Sequence, residues 1–376
     1  MTMNTLQMQS CAHDNGTIEC ALIPVTLPAP REHEVTIAVD ASPINPSDLG
    51  LMIGGADLST ARASTVDGQP SVVLDLPPGA QRMMASRIGE WIPAGIEACG
   101  RVVAAGDSPE AQALLGRRVG AYAGAMYASH ANVPVFQCMA LSDAVTPEQG
   151  ASCFVNPMTA LGFVETMRIE GHSAIVHTAA ASNLGQMLNR ICLAEGIPLV
   201  NIVRSDAQEL LLREQGATHI LNSTRDDFFQ QLCAAIVETG ATLGFDAIGG
   251  GALTNTILSA MEVAAAQRMT EWSRYGSDEH KQVYIYGMLD VAPTTLTRSY
   301  GFSWGIGGWL LTPFMKRAGL ERLIAMQQRV QAELTTTFAS DYSDFVSLET
   351  ALQPEMVQRY GVRKTGQKTL ITFEHA

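Results

Sequence analysis

Residues 174–203, AIVHTAAASNLGQMLNRICLAEGIPLVNIV, constrain the fold more than any other stretch of the chain. The run Ala174 to His177 is short, apolar and β-branched, and Leu199 to Val203 has the same character, so both read as strands. Between them Leu184, Met187, Leu188, Ile191 and Cys192 recur at helical spacing, which makes the stretch a strand–helix–strand unit of the kind that builds parallel sheets. The link from first strand to helix, Thr178 to Asn183, holds only small residues, and Gly185 falls in the first helical turn. Backbone N–H groups at a helix N-terminus, with the positive end of the helix dipole behind them, attract a pyrophosphate. The G-x-G-x-x-G fingerprint is incomplete, however: its glycine positions fall on Ala180, Ser182 and Gly185. On these residues alone a dinucleotide site and an ordinary unit capped by Ser182 or Asn183 stand level.

The remaining pattern extends the unit in both directions. Residues 17–27 and 34–39 read as strands with Pro28 and Pro30 in the turn between them, and residues 41–55 as a loop entering a short helix that Ser47 or Asp48 caps. Residues 56–94, broken by Pro70, Pro77, Pro78 and Pro93, read as a long irregular stretch with a short strand near Val72, of the kind that forms lids. Strands follow at 95–105 and 116–123. After Pro147 helices and strands alternate: a helix at 147–168 interrupted near Pro157, the central unit, then helix 206–215, strand 218–221, helix 226–239, strand 243–247, helix 251–269 and strand 282–286. A helix at 320–334 and a strand at 367–373 close the chain. The expected fold class is α/β, a doubly wound (Rossmann) parallel-sheet domain at 151–319 beside a mostly β domain made of residues 1–150 and 320–376.

Composition narrows the partners. A formal net charge of −13 over 376 residues opposes nucleic acid and anionic membranes. The longest uncharged run, Ser299 to Met315, is too short and glycine-rich to span a bilayer. The N-terminus lacks a basic region followed by an apolar one, and the seven cysteines are scattered without metal-binding spacing, so a cytoplasmic location is expected.

Motifs in order along nearly the whole chain carry a resemblance: INPSD at 44–48, GIEACGRV at 95–102, GRRVGAYA at 116–123, NPMTALGF at 156–163, AAASNLGQ at 179–186, GFDAIGG at 244–250, YGML at 286–289 and KTGQKTLITF at 364–373. The chain resembles the medium-chain dehydrogenase/reductase superfamily, in its zinc-free NADPH:quinone oxidoreductase-like branch. The resemblance implies a GroES-like form for the mostly β domain and a hydride site in the cleft between the domains. It places the catalytic zinc positions of zinc-dependent relatives on Asn45, Ile96 and Val155, none a usual ligand, so no metal is expected.

Cofactor choice rests on the end of the second strand, where an acidic side chain accepts from a ribose hydroxyl and a basic one neutralises a 2′-phosphate. Arg204 and Ser205 stand there, followed by Asp206 as a helix cap, which favours NADPH over NADH, with Lys368 a further phosphate contact. The resemblance places Ala181, Ser182, Asn183, Leu184 and Gly185 on the dinucleotide, and Ile248, Gly249, Gly250, Gly287 and Met288 in loops closing over it. It also puts Thr159 beside the nicotinamide and Asn45 near its ribose and the substrate carbonyl, where Asn45 is the expected hydrogen-bond donor. A tyrosine usual five residues beyond that asparagine is Gly50 here, leaving Tyr122, Tyr127, Tyr286 or water as proton source. Trp91, Trp304 and Trp309 would shape an apolar pocket or a subunit interface, and a homodimer joined at the sheet edge is implied. The expected activity is hydride transfer from NADPH to a small-molecule quinone or α,β-unsaturated carbonyl without metal. A nucleotide-binding protein without turnover and a zinc-independent alcohol or enoyl-thioester oxidoreductase are the alternatives.

Overall fold

The computed structural model describes residues 2–374. The chain divides into two compact units, Met1–Val155 with Arg329–Ala376, and Asn156–Gln328.

The first unit is built from two mainly antiparallel sheets. In one, the strands run in the order Asp57–Val66, Gln69–Asp75, Thr17–Leu27, Met3–Ala12 and Ile92–Pro93. Residues 56–94 are therefore not an irregular lid. Asp67 (φ 48°) and Gly68 (φ 78°) form a turn with both central residues left-handed, the geometry that matches strand twist and closes a two-residue hairpin. The hairpin then pairs with Thr17–Leu27, setting Ile18 opposite Leu74 and Cys20 opposite Val72, all buried. Helix Pro78–Met84 starts on a proline, and the following Arg87 ties it down by donating to Leu51 O and to Ser10 Oγ. Met3–Ala12 pairs with Thr17–Leu27 from Met3 opposite Leu27 to Ala12 opposite Ile18.

The second sheet runs Cys138–Ala140, Arg118–Tyr122, Glu97–Ala105, Glu34–Pro43, Thr369–Thr372 and Asp344–Val346, with His130–Pro134 also on Glu34–Pro43. The C-terminal strand thus completes a sheet begun by the first third of the chain.

The second unit is a six-stranded parallel sheet in the order His219–Asn222, Leu199–Val203, Ile175–His177, Leu243–Asp246, Lys281–Ile285 and Trp304–Gly308. The order reverses between Ile175–His177 and Leu243–Asp246, which is the switch point where such sheets open a crevice at their strand ends. Within the glycine-rich run after residue 299, Trp304–Gly308 is an edge strand. A Cβ on Gly307 would lie 2.9 Å from the Tyr284 ring, whereas one on Gly308 would meet nothing within 4 Å. The helix expected to break at Pro157 breaks earlier: Pro147–Ala151 and Val155–Ile169 are separate helices. Pro157 sits in the first turn of the second, where its missing N–H has no intrahelical partner to lose.

One ion pair of this unit has a fully buried cation, while 12% of the side chain it pairs with, that of Glu262, stays exposed. Lys281 is 0% exposed, and its Nζ donates to Glu262 Oε2 (2.7 Å), Ser277 Oγ (2.8 Å) and Glu279 O (2.7 Å). Among the described residues no helix is long and apolar enough to cross a membrane.

Candidate functional site

The loop after Ile175–His177 is tight. Ala179 is left-handed at φ 49°, Ala180 N donates to Ile202 O, and Ser182 caps helix Asn183–Glu195 by accepting from Gly185 N at 3.1 Å. The helix ends on left-handed Gly196. A Cβ on Gly185 would fall 2.2 Å from Ala180 O, so this one surviving fingerprint glycine is the one that lets the helix sit against the strand–helix turn. Ala181, Leu184 and Gly185 are buried, while Ser182 and Asn183 are half-buried at the helix N-terminus. At the end of the next strand Arg204 is exposed. Ser205, rather than Asp206, caps helix Asp206–Glu214, accepting from Gln208 N. The Asp206 carboxylate instead accepts from Asn222 Nδ2 and Arg225, both at 3.1 Å.

A buried carboxylate that sequence reasoning did not single out holds these loops together. Asp246, 0% exposed at the end of Leu243–Asp246, accepts from Thr178 Oγ1 (2.8 Å) and Ile248 N (2.8 Å) on one oxygen. Thr254 Oγ1 (2.7 Å) and Gly249 N (3.4 Å) donate to the other. Thr178 Oγ1 in turn accepts from Ala247 N, so the loop after Ile175–His177 and the loop after Ala247 are one hydrogen-bonded piece. The only sequence signal for this was an acid directly before the small-residue run AIGG. The loops after Ala247 and Tyr286 also pair with each other, Gly249–Gly251 lying parallel to Asp290–Thr294. Backbone approach is close: a Cβ on Gly287 would lie 2.6 Å from Ala247 O and one on Gly250 2.7 Å from Ala292 O. Met288 is 63% exposed at the start of the second loop.

Thr159 is buried on helix Val155–Ile169, one turn before Phe163. Phe163 stacks on Phe245 and meets His177, Tyr286 and Trp309 edge-on or tilted. Trp309, expected at a pocket or interface, is packed here with its Nε1 donating to Thr166 Oγ1. Trp304 packs edge-on to Tyr300, and Trp91, in the first unit, edge-on to His13. Tyr286 Oη pairs with His177 Nε2 at 2.8 Å, and burial drives the phenol far above its ordinary range while holding the imidazole down at about 3. The pair is therefore neutral at physiological pH, and Tyr286 is a poor acid.

In the first unit a second buried polar cluster surrounds Asn45, which is 1% exposed and is itself the N-cap of helix Pro46–Met52 in place of the expected Ser47 or Asp48. Its backbone N–H donates to Asp48 Oδ2 (3.0 Å) and its Nδ2 to Glu97 Oε1 (2.8 Å). Glu97, 0% exposed, accepts on its other oxygen from Phe154 N (3.0 Å) and Val155 N (2.8 Å). Lys368 does not project as a surface charge: it is half-buried, and its ammonium donates to Ser152 Oγ, lies 5.4 Å above the Tyr342 ring and is drawn by the charges of Glu97 and Asp48. Burial lowers it to about 8 against the pull of those carboxylates. Burial likewise raises Glu97, opposed by the Lys368 charge and its three donors, and raises Asp48 to about 7. Tyr127, fully buried, donates to Pro43 O, and Tyr122 stacks on Phe154. Among the described residues no group of three or more His, Cys, Asp or Glu is arranged to hold a metal ion. A groove of about 600 Å³ lined by Phe229, Cys233, Val237 and Val263 shares no residue with either cluster.

Comparison with solved structures covers almost the full length. A candidate NADPH:quinone reductase from Mesorhizobium loti is 26% identical, with a TM-score of 0.72 over 99% of this chain and 98% of that one. Escherichia coli quinone oxidoreductase complexed with NADPH is 17% identical, with a TM-score of 0.69 over 99% and 100%. The CurK enoyl reductase is 16% identical, with a TM-score of 0.67 over 98% and 99%. No family model matches the chain.

Proposed function

The chain belongs to the medium-chain dehydrogenase/reductase superfamily, in its quinone-reductase-like branch, and from that premise we propose that it transfers hydride from NADPH to a quinone or α,β-unsaturated carbonyl without a metal ion. Its class, an NAD(P)H-dependent oxidoreductase, follows from the branch. The observation that carries the finer reading is the switch-point loop of the second unit, where a backbone with no room for a side chain at Gly185 meets a thirteen-residue helix N-terminus.

The residues fit a dinucleotide. Ala181 to Gly185 offer a helix N-terminus to the pyrophosphate, and Arg204 with Ser205 offers charge and a hydroxyl to a 2′-phosphate. Asp246 fixes the loop carrying Ile248 and Gly249 to Thr178, and the pairing of Gly249–Gly251 with Asp290–Thr294 holds Gly287 and Met288 beside it. These contacts preset the cradle, so less ordering accompanies binding. When bound, NADPH supplies the hydride. Thr159 and Asn45 are the residues we assign to the nicotinamide end. Lys368, whose charge lies beside Glu97, serves the Asn45 cluster in this reading. With Tyr286 neutral and bonded to His177, water is the proton source.

A homodimer is part of the proposal. Met288, Val291, Trp272 and Phe302 are 63%, 86%, 87% and 85% exposed on the unit whose sheet ends in the edge strand Trp304–Gly308. Solvent-facing apolar side chains of that size, on a unit with an open sheet edge, favour a second copy. Sedimentation should give twice the 40.2 kDa chain mass; a monomer at micromolar concentration removes this part. A cytoplasmic setting fits free thiols and an NADPH-using enzyme.

The test is a fluorescence titration with NADPH and NADH, followed by quinones, simple enones and an enoyl thioester. NADPH is expected to bind at least ~10-fold tighter than NADH, and Arg204→Ala to weaken NADPH by ~10-fold while leaving NADH unchanged, as for loss of one charge-assisted contact. Binding of neither nucleotide would sink the proposal. Binding without oxidation by any acceptor would leave a nucleotide-binding protein without turnover.

A further inference from the structure

Three loops leave the strand ends of the parallel sheet, and Asp246 joins two of them. The third, which opens with Gly287 and Met288, follows Tyr286 directly, just as Thr178 to Asn183 follow His177. Tyr286 Oη and His177 Nε2 are 2.8 Å apart although strand Leu243–Asp246 lies between their strands, so this hydrogen bond reaches across it. His177 is 0% exposed and its Nδ1 has no hydrogen-bond partner, so the bond to the half-buried Tyr286 is what orients the imidazole. Phe163, stacked on Phe245, backs both rings, with its centroid 4.8 Å from that of Tyr286 and 5.9 Å from that of His177. The helix that carries Phe163 bears Thr159 one turn earlier. Beside Tyr286 there is no slack. Its N–H donates to Asp246 O, and a Cβ on Gly287 would lie 2.6 Å from Ala247 O, so a shift of the ring passes to Gly287 and Met288.

We infer that Tyr286 and His177 are positioning residues whose hydrogen bond fixes the loop of Gly287 and Met288 against Thr178 to Asn183, and so presets the nicotinamide half of an NADPH cradle. The inference rests on the proposed function, in which Ala181 to Gly185 meet the pyrophosphate, Arg204 and Ser205 the 2′-phosphate, and the Gly287 loop the rest of the cofactor. Preset loops lose less freedom on binding, so cutting the bond weakens only ligands that reach both loops.

Calorimetric titration of Tyr286→Phe, which loses a single oxygen atom, tests it. NADPH should bind ~10-fold more weakly, the range of one lost hydrogen bond, whereas adenosine 2′,5′-bisphosphate, which lacks the nicotinamide half, should change by less than about 2-fold. Equal weakening of both ligands would mean a general loosening of the unit, and unchanged NADPH affinity would mean that the bond serves packing alone; either overturns the inference. A phenol that protonated the product would instead leave binding intact and lower turnover at saturating NADPH, which overturns it as well. His177→Leu should weaken NADPH by the same factor, and the double variant should be no worse than either single, because both remove the same bond. Losses that multiply would show two independent side chains and overturn the coupling. Should His177→Leu fail to fold, the two affinities of Tyr286→Phe decide. If the wild-type chain binds NADPH and Tyr286→Phe binds it equally well, this inference alone falls; a wild-type chain that binds neither nucleotide removes the premise with it.

Discussion

Lys281→Met should lower the stability of the second unit by about 3–5 kcal/mol, the loss typical when one partner of a buried ion pair is removed and the other stays charged. Lys281 is inaccessible to solvent and satisfies all three of its donors, on Glu262, Ser277 and Glu279 O. Burial pushes the Glu262 carboxyl up, but hydrogen bonds from Lys281 and Ser277 outweigh burial and hold it below its ordinary range. A depressed carboxyl contributes stability above its unfolded-state value, and that contribution is lost as pH falls through its folded value. At neutral pH the variant therefore loses the full amount. For a unit of this size the midpoint of thermal unfolding should fall by about 10 °C. Adding Glu262→Gln should recover roughly half of the loss, because a neutral amide can still accept from Ser277 N and no uncompensated charge remains. A single-variant loss under about 1 kcal/mol would show that water reaches the carboxylate and that the pair is not internal.

Gly185→Ala should abolish tight NADPH binding while leaving most of the protein folded. The added methyl would lie 2.2 Å from Ala180 O, 2.6 Å from Ala180 C and 2.8 Å from Ala180 Cα, all backbone atoms with no rotamer by which to escape. The helix must retreat from its turn. Overpacking of that kind costs about 1–3 kcal/mol, and a displacement on the order of 1 Å at a binding group can cost ~100-fold in function. Titration of the variant with NADPH reads the second effect and a thermal melt the first. Gly124→Ala, at a position with nothing within 4 Å of the new methyl, is the control and should bind as wild type. Unchanged affinity in Gly185→Ala would show that the cofactor does not use this helix terminus.

The parallel-sheet unit was legible because its signals are local. Ile175–His177 and Leu199–Val203 are short apolar runs with β-branched residues and the helices between strands carry apolar residues at helical spacing, so Ile175–His177, Leu199–Val203, Asp206–Glu214 and Leu253–Arg268 stand within a few residues of their expected positions. Cap assignments were less secure, because Asn45, Ser47 and Asp48 are all good caps and only the course of the chain into the helix selects Asn45. The hairpin at 57–75 was hidden by Pro70 and by strands of serine, threonine and alanine, although Asp67–Gly68 carried the turn signal.

By itself the sequence determined the class of each region, the alternation that makes the sheet parallel, and a loop of small residues where a dinucleotide can rest, since propensity and periodicity act over a few neighbours. Only the tertiary structure decided which polar groups lose water together. Lys368 reads as a phosphate contact on a closing strand, yet the pairing of Thr369–Thr372 with Glu34–Pro43 brings its ammonium to the cluster with Glu97 and Asp48. Asp246 reads as one acid among many until four donors converge on it. Asn45 reads as a donor until Glu97, fifty-two positions away, takes its NH₂. Hydrogen-bond direction and protonation depend on burial and on partners remote in sequence, and those exist only once the chain has folded.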